Sequence, residues 1–337
     1  MTQRAEKLNI KKPVLKLLSS ISDKNREVLE RRFGIGRNNA ETLESIGRSY
    51  EITRERVRQI QEYGFKKLVN TGANSLLAPA FLKIENYINK KGGVVKESDI
   101  FETLVTSEEA AHLSFVLRLM PGLIVRKETD DLHTRYALNE AVLRDAETLV
   151  SSTHLALAAK KTPISFAELM TLAPENIVSL SRRIKQGFFG DWGLADWSRI
   201  TPRGVKDKAH LVFEQEKRPL HFREISELID KYFVLSHEGA ARPRLTHPQT
   251  VHNELIKDPR FVLIGRGLYA LSDWGYEPGT VKDVLVQILK DAGEALDKED
   301  VLRLISERRF VKPNTVFLNL QNKNYFKKLQ DGKYYLA

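Results

Sequence analysis

Five polar side chains fall within six consecutive residues, and their types suit contact with nucleic-acid bases. Side chains of this kind pair with guanine edges, cytosine amino groups and phosphates in a DNA major groove. The set comprises Arg54, Glu55, Arg56, Arg58 and Gln59. We therefore predict that this run is a surface that recognises duplex DNA.

Two helices joined by a tight turn are predicted to position this run. Thr42 is expected to cap the first helix, with Glu44 in its first turn, and Thr53 is expected to cap the second. Apolar residues then recur at helical spacing. They are Leu43, Ile46 and Tyr50 in the first helix, and Val57, Ile60, Phe65 and Leu68 in the second. The segment from Thr42 to Leu68 therefore indicates a helix-turn-helix, with Ile52 buried in the turn. Glu51 occupies the turn position where such proteins often have glycine, because the backbone there tends toward positive φ.

The chain upstream of this motif predicts two more helices. Residues 1–12 are polar and are expected to be frayed. A helix is predicted to begin near Pro13, and Ser22 is expected to cap the next one, which should end at Gly34.

These residues carry a family resemblance. The segment from Ser22 to Ile35, together with the run from Thr53 to Ile60, resembles region 4 of bacterial RNA polymerase sigma factors, over about the first fifth of the chain. The resemblance implies that Arg54, Glu55 and Arg58 meet bases of a −35-type promoter element. It places Gln59 nearby and Arg56 on the DNA backbone. It also implies that the first two helices contact the flap of the polymerase β subunit. The capped helix start at Thr42 would offer backbone amides to a phosphate.

Charge supports a polyanionic partner. The 337 residues carry a net charge of +10 and have a pI near 9.5. Residues 1–75 contain 16 Lys and Arg against 9 Asp and Glu, so +7 of this excess accompanies the helix-turn-helix. There is no cysteine, which excludes disulfides, thiolate catalysis and cysteine-based zinc sites. No apolar run is long enough for a membrane span and no signal peptide is recognised, so we expect a soluble, cytoplasmic, nucleoid-associated protein.

Downstream of the helix-turn-helix the sequence repeats a pattern of three helices followed by a β-hairpin. This pattern is typical of a winged helix, whereas helical solenoid repeats lack the hairpin. Gly267 and the Asp331-Gly332 pair suit the hairpin turns. The predicted fold is mainly α: a helix-turn-helix followed by tandem winged-helix units. The expected segments are 1–75 (helix-turn-helix) and four winged-helix units at 76–140, 141–200 (a degenerate copy), 201–276 and 277–337.

The third of these units carries a second resemblance. The blocks from Arg218 to Ile229 and from Thr250 to Trp274 resemble the HARE winged-helix domain. That family includes the delta subunit of Gram-positive RNA polymerase, restriction-associated proteins and eukaryotic chromatin proteins. The delta subunit's acidic tail has no counterpart in this sequence. Five residues near the expected third helix and wing are candidate DNA contacts, with a role in protein interaction as the alternative. They are Arg242, Arg244, His252, Asn253 and Arg266.

No catalytic constellation is recognisable. His237, His247 and His252 share a segment but lack the spacing of a metal site, and the Gly34 loop lacks the Lys-Ser/Thr of a phosphate-binding loop. The acidic cluster from Asp297 to Asp300 is interpreted as a helix start. We expect a protein that is not an enzyme and that uses neither metal nor cofactor.

The sequence thus favours a DNA-binding transcription regulator that reads a −35-like element and associates with core RNA polymerase through the β flap. Two alternatives remain open. One is a sigma-mimicking scaffold that binds polymerase without reading bases, and the other is the DNA-recognition subunit of a restriction or modification system. No stretch resembles the sigma region that melts the −10 element.

Overall fold

A computed structural model describes residues 7–234, 245–276, 279–309 and 311–337, and these residues are mainly helical. The α-helices are α1 Lys11–Leu18, α2 Asp23–Phe33, α3 Leu43–Ser49, α4 Arg54–Asn70, α5 Ala73–Lys90, α6 Glu97–Leu104, α7 Ala110–Leu119, α8 Glu140–Lys160, α9 Phe166–Leu172, α10 Glu175–Val178, α11 Val205–Glu216, α12 Phe222–Ile229, α13 Pro248–Lys257, α14 Val281–Ala292, α15 Lys298–Arg308 and α16 Pro313–Leu320. The strands are β1 Val94–Lys96, β2 Ile124–Arg126, β3 Arg135–Ala137, β4 Ile184–Gln186, β5 Trp192–Leu194, β6 Leu220–His221, β7 Phe261–Gly265, β8 Leu268–Leu271, β9 Phe326–Lys328 and β10 Tyr334–Leu336. Contacts divide the chain into two compact parts, Met1–Asp196 and Trp197–Ala337.

The helix-turn-helix is formed by α3 and α4 packed on α2. Its small core consists of Val28, Ile46, Val57 and Ile60, with Leu43, Tyr50 and Ile52 against it, so the predicted apolar stripes are confirmed. Glu51 adopts φ +54°, the left-handed conformation expected at this turn. Gly47 lets the turn approach closely, since a Cβ there would lie 2.7 Å from the carbonyl oxygen of Ile52.

Two expectations for the first residues were wrong. Leu8 and Ile10 are buried, and the Leu8 amide donates to the Leu104 carbonyl at 2.7 Å, so residues 7–12 are anchored where fraying was expected. Ser22 precedes α2 in extended conformation, but its side chain accepts no capping hydrogen bond. In both cases the polar composition of the segment concealed contacts that its own neighbours do not determine.

The first winged-helix unit shares its core with the helix-turn-helix. Phe115 of α7 lies 5.5 Å from the ring of Phe33 in α2 and 5.6 Å from that of Phe65 in α4. The same apolar cluster runs from Leu8 through α5 to Tyr136. The expected boundary at 75/76 falls inside α5. Apolar burial of this extent couples the two segments in one folding unit.

Each winged-helix unit contains a third extended segment that the sequence analysis missed. It lies between the first and second helices and pairs with the hairpin. In the first and third units it is a strand, giving sheet orders β1-β3-β2 and β6-β8-β7. In the second and fourth units it is a single bridge, Ile164 to Trp192 and Leu296 to Tyr334. These short segments carry no alternating pattern of their own, so only the pairing identifies them.

The second unit is reduced in its third helix. The segment Glu175–Gln186 was expected to be helical, but only Glu175–Val178 forms α10, and Ile184–Gln186 is strand β4. The unit packs against the hairpin of the first, where the Arg182 amide donates to the Asp131 carbonyl at 2.8 Å. The second part of the chain contains the third and fourth units, each with its own apolar cluster. Gly267 and Gly332 have positive φ in the hairpin turns, as predicted. None of the helices described combines the length and apolar content that crossing a bilayer requires.

Candidate nucleic-acid interface

The predicted contact residues share the exposed side of the first two turns of α4. We call Arg54, Glu55, Arg56, Arg58 and Gln59 the reading face; all five are exposed. The Thr53 hydroxyl accepts from the Arg56 amide at 3.2 Å, so the expected helix cap is present. Val57 and Ile60, on the opposite side, are anchored in the core. A helix held from behind with its N-terminal side chains exposed has the geometry of a major-groove recognition helix.

Side chains within the reading face are organised by hydrogen bonds to one another. Arg58 donates to both carboxylate oxygens of Glu55, at 2.9 and 2.8 Å, and Arg56 donates to the Gln59 carbonyl oxygen at 3.1 Å. The hydrogen bond from Arg58 lowers the pKa of Glu55 below its usual value. Glu55 is therefore ionised at neutral pH and is an acceptor only.

The start of α3 is also exposed. The Thr42 hydroxyl accepts from the Ser45 amide at 3.1 Å, which confirms the predicted cap. The Glu41 carboxylate lies beside this cap, accepting from the Ser45 hydroxyl at 3.1 Å and from Arg31 at 2.7 and 2.8 Å. These hydrogen bonds, chiefly that of Arg31, lower the pKa of Glu41. Thr42 thus faces solvent next to a negative charge, and one amide of the helix start already has its acceptor.

The third helix of the first winged-helix unit is turned inward. Six of the ten residues of α7 are buried, including His112, Phe115 and Val116. Arg118, near its end, pairs with Glu62 of α4 at 3.2 Å and lies over the Phe65 ring at 5.4 Å. A helix packed on the helix-turn-helix in this way cannot enter a groove. Sequence analysis missed this role of Arg118, because nothing local distinguishes it from a solvated arginine.

The third unit presents its candidate residues unevenly. His252 lies within α13, where its Nδ1 is 2.9 Å from the Tyr269 hydroxyl and its ring is 4.8 Å from that of Phe222. Burial raises the pKa of Tyr269 to about 12. Asn253 is exposed and accepts from Gln249 at 3.2 Å, and Arg266 is exposed in the β7–β8 turn, at the predicted wing tip. Arg242 and Arg244 lie outside the described residues.

Titratable side chains do not converge elsewhere in the described ranges. Across residues 7–234, 245–276, 279–309 and 311–337 no group of three or more His, Cys, Asp or Glu residues is arranged to hold a metal ion. His247 caps α13 by accepting from the Gln249 amide at 3.2 Å, and His237 lies outside the described residues. The exposed polar groups available for a ligand are therefore those of the helix and wing surfaces.

Comparison with known proteins identifies two segments of the chain. Residues 17–69 match the family model for sigma-70 region 4. Residues 203–274 match the HARE-HTH family model, whose description names a restriction endonuclease HTH domain. Both resemblances inferred from the sequence are confirmed, and so is the mainly α fold of helix-turn-helix and winged-helix units.

Similar curated proteins match a short part of the chain. RNA polymerase sigma factor SigA of Nostoc sp. is 42% identical over 62 residues, 18% of this chain and 16% of that protein. SigA of Clostridium acetobutylicum is 39% identical over 59 residues (18% and 16%), and SigA1 of Synechococcus elongatus is 41% identical over 61 residues (18% and 15%). The chain thus spans about a sixth of the length of these relatives. The chain carries two helix-turn-helix modules of DNA-binding type, one of them sigma-like.

Proposed function

We propose that the protein is a transcription regulator that reads a −35-like promoter element through α4 and associates with RNA polymerase. The observation that carries this proposal is the reading face. Its five exposed polar side chains stand on a capped helix start whose other side is fixed by Val57 and Ile60. Arg54 and Arg58 donate to guanine edges, Glu55 accepts from a cytosine amino group, and Gln59 and Arg56 contact neighbouring bases and backbone.

Association with polymerase rests on the sigma-like segment. Residues 17–69 match a region whose curated relatives are named RNA polymerase sigma factors. On α1, Leu15 is 43% exposed and is flanked by the exposed Lys11, Lys12 and Lys16. An apolar side chain among cations suits a partner surface that is apolar with an acidic rim. We assign this surface, with α2, to the β flap of core polymerase.

The remaining segments have different roles in this proposal. We divide the chain as 1–75, 76–140, 141–200, 201–276 and 277–337. The first two winged-helix units support the helix-turn-helix, since α7 is buried against it and α10 is a single short turn. The third unit contacts DNA through Asn253, Arg266, Arg242 and Arg244. In this account the protein acts in the cytoplasm, at the nucleoid.

Selection from a random duplex library tests base reading. The full chain should enrich one motif that resembles a −35 element, and so should the control Arg144→Ala, whose exposed arginine lies on α8. The double variant Arg54→Ala/Arg58→Ala should enrich none. Failure of the wild type to enrich any motif would contradict base reading.

Capture of core polymerase tests the second half of the proposal. Wild type and Arg54→Ala/Arg58→Ala should both retain purified core polymerase, whereas Leu15→Glu should lose it, because a charge placed in an apolar contact costs several kcal/mol, on the order of 2–5. Capture without motif enrichment would identify a scaffold that mimics sigma.

The family match of residues 203–274 favours a second candidate. Its description names a restriction endonuclease domain. A DNA-recognition subunit of a restriction or modification system would require a nuclease or methyltransferase partner. Co-purification from the host of such an enzyme in place of RNA polymerase would establish this candidate.

A further inference from the structure

Charge is unevenly distributed within the fourth winged-helix unit. Residues 311–337, which contain α16 and the β9–β10 hairpin, hold five lysines and one aspartate. Residues 279–309, which contain α14 and α15, hold six Lys and Arg against seven Asp and Glu. The positive charge of the unit is therefore concentrated on its third helix and wing, the two elements that a winged helix can lay on a DNA groove.

These lysines are available to a ligand. All five are exposed, and within the described residues none of them lies within 4 Å of a carboxylate oxygen; they are Lys312, Lys323, Lys327, Lys328 and Lys333. By contrast, Arg303 and Arg308 of α15 pair with Asp300 at 2.9 Å and Asp291 at 2.8 Å. Cations on α15 are thus neutralised internally, whereas those of the wing are not.

The hairpin holds two of the lysines in defined places. Lys327 and Lys328 of β9 stand opposite Tyr335 and Tyr334 of β10, with each ammonium over the ring of its partner at 5.9 and 5.8 Å. Successive side chains of a strand project to opposite faces, so the two cations flank the hairpin on both sides. This arrangement fits a hairpin lying between the two phosphate chains that border a groove.

The chemistry of the patch indicates contact with the backbone. It contains lysine but no arginine, and an ammonium acts on phosphate as a point charge, without the bidentate geometry that distinguishes a base. Asn314, Thr315 and Leu318 on the exposed side of α16 are polar or apolar and uncharged. We propose that the fourth unit is a second DNA-binding site, which holds duplex DNA of any sequence through phosphate contacts of its wing. This site goes beyond the promoter-reading role of α4 and does not depend on it.

Anisotropy titrations of the full chain with a labelled, scrambled 30-bp duplex test the proposal over a range of salt. Lys327→Ala/Lys328→Ala should bind at least about 10-fold more weakly at 0.1 M salt, and the slope of log K against log salt should become less steep by about 2, or roughly 0.9 per lost phosphate contact. The charge-retaining Lys327→Arg/Lys328→Arg should bind within about 3-fold of wild type, because the attraction depends on charge.

A matched control separates the wing from overall charge. Lys290→Ala/Arg303→Ala removes two cations from α14 and α15 of the same unit and should leave the salt slope nearly unchanged. Equal losses in the wing pair and this control, or loss in the arginine pair as well, would overturn the proposal, and so would stronger binding to single-stranded RNA than to the duplex. The wing effect should persist in the Arg54→Ala/Arg58→Ala background. It therefore fails independently of the promoter-reading proposal, which fails when wild type shows no sequence preference.

Discussion

The Glu55 carboxylate is held by the Arg58 guanidinium through two hydrogen bonds, at 2.9 Å from Nε and 2.8 Å from Nη2. Both side chains are about half exposed, so the pair adds little to stability. Its importance is for recognition, since it fixes where an acceptor and a donor stand on the first turns of α4. A base pair that satisfies both groups gains from this preorganisation, and one that satisfies neither must break the pair.

Glu55→Gln should therefore separate affinity from preference. Loss of the carboxylate removes repulsion from phosphates, so binding to a scrambled duplex should tighten by about 3- to 10-fold, while the preference for a −35-like duplex should decrease. Titrations of both duplexes measure the two effects. Glu102→Gln, on α6, is the control and should change neither. Unchanged preference in Glu55→Gln would show that this carboxylate does not read a base.

Phe115→Ala should destabilise the helix-turn-helix from outside it. The ring is fully buried between Phe33 and Phe65, so the free energy of unfolding should fall by about 3–5 kcal/mol. Near-ultraviolet circular dichroism and DNA binding should be lost in one thermal transition, because the two segments share a core. Leu155→Ala, whose side chain is 68% exposed, should change stability by less than about 0.5 kcal/mol. Retention of DNA binding after the first winged-helix unit had unfolded would contradict the shared core.

The α3–α4 turn should respond oppositely to two substitutions. Glu51→Gly should raise the free energy of unfolding by about 0.5–1 kcal/mol, because glycine relieves the cost of φ +54°. Gly47→Ala should lower it by about 1–3 kcal/mol, because the added methyl would lie 2.7 Å from the Ile52 carbonyl oxygen. Urea titrations measure both changes. The same sign for both would show that the turn relaxes freely.

His112 should make stability depend on pH. It is buried in α7, its Nδ1 has no hydrogen-bond partner within the described residues, and burial lowers its pKa. The unfolded chain therefore binds more protons below about pH 6.5, so stability is full above that pH and decreases as the pH falls through this range. His112→Leu should lose less stability than wild type between pH 7 and pH 5. Thermal melts at the two pH values measure this difference, and parallel losses would contradict a role for His112.

The sequence predicted best where structure is local. Thr42 and Thr53 cap their helices and Val57 and Ile60 face the core because a cap and a helical stripe depend on residues a few positions apart. Leu8, Arg118 and the bridge at Ile164 were missed because their partners lie far along the chain. For the same reason the sequence did not distinguish α7, which is buried, from α4, which is exposed.

Measuring the preference of the reading face for its duplex tests the central claim most directly. The full chain is titrated by anisotropy with a −35-like duplex and a scrambled duplex at one fixed salt concentration, in wild type and in Arg54→Ala and Arg58→Ala. Wild type should prefer the −35-like duplex, and each substitution should cost about 1–3 kcal/mol on that duplex and reduce the preference. Equal affinity of wild type for the two duplexes, unchanged in both variants, would contradict the account.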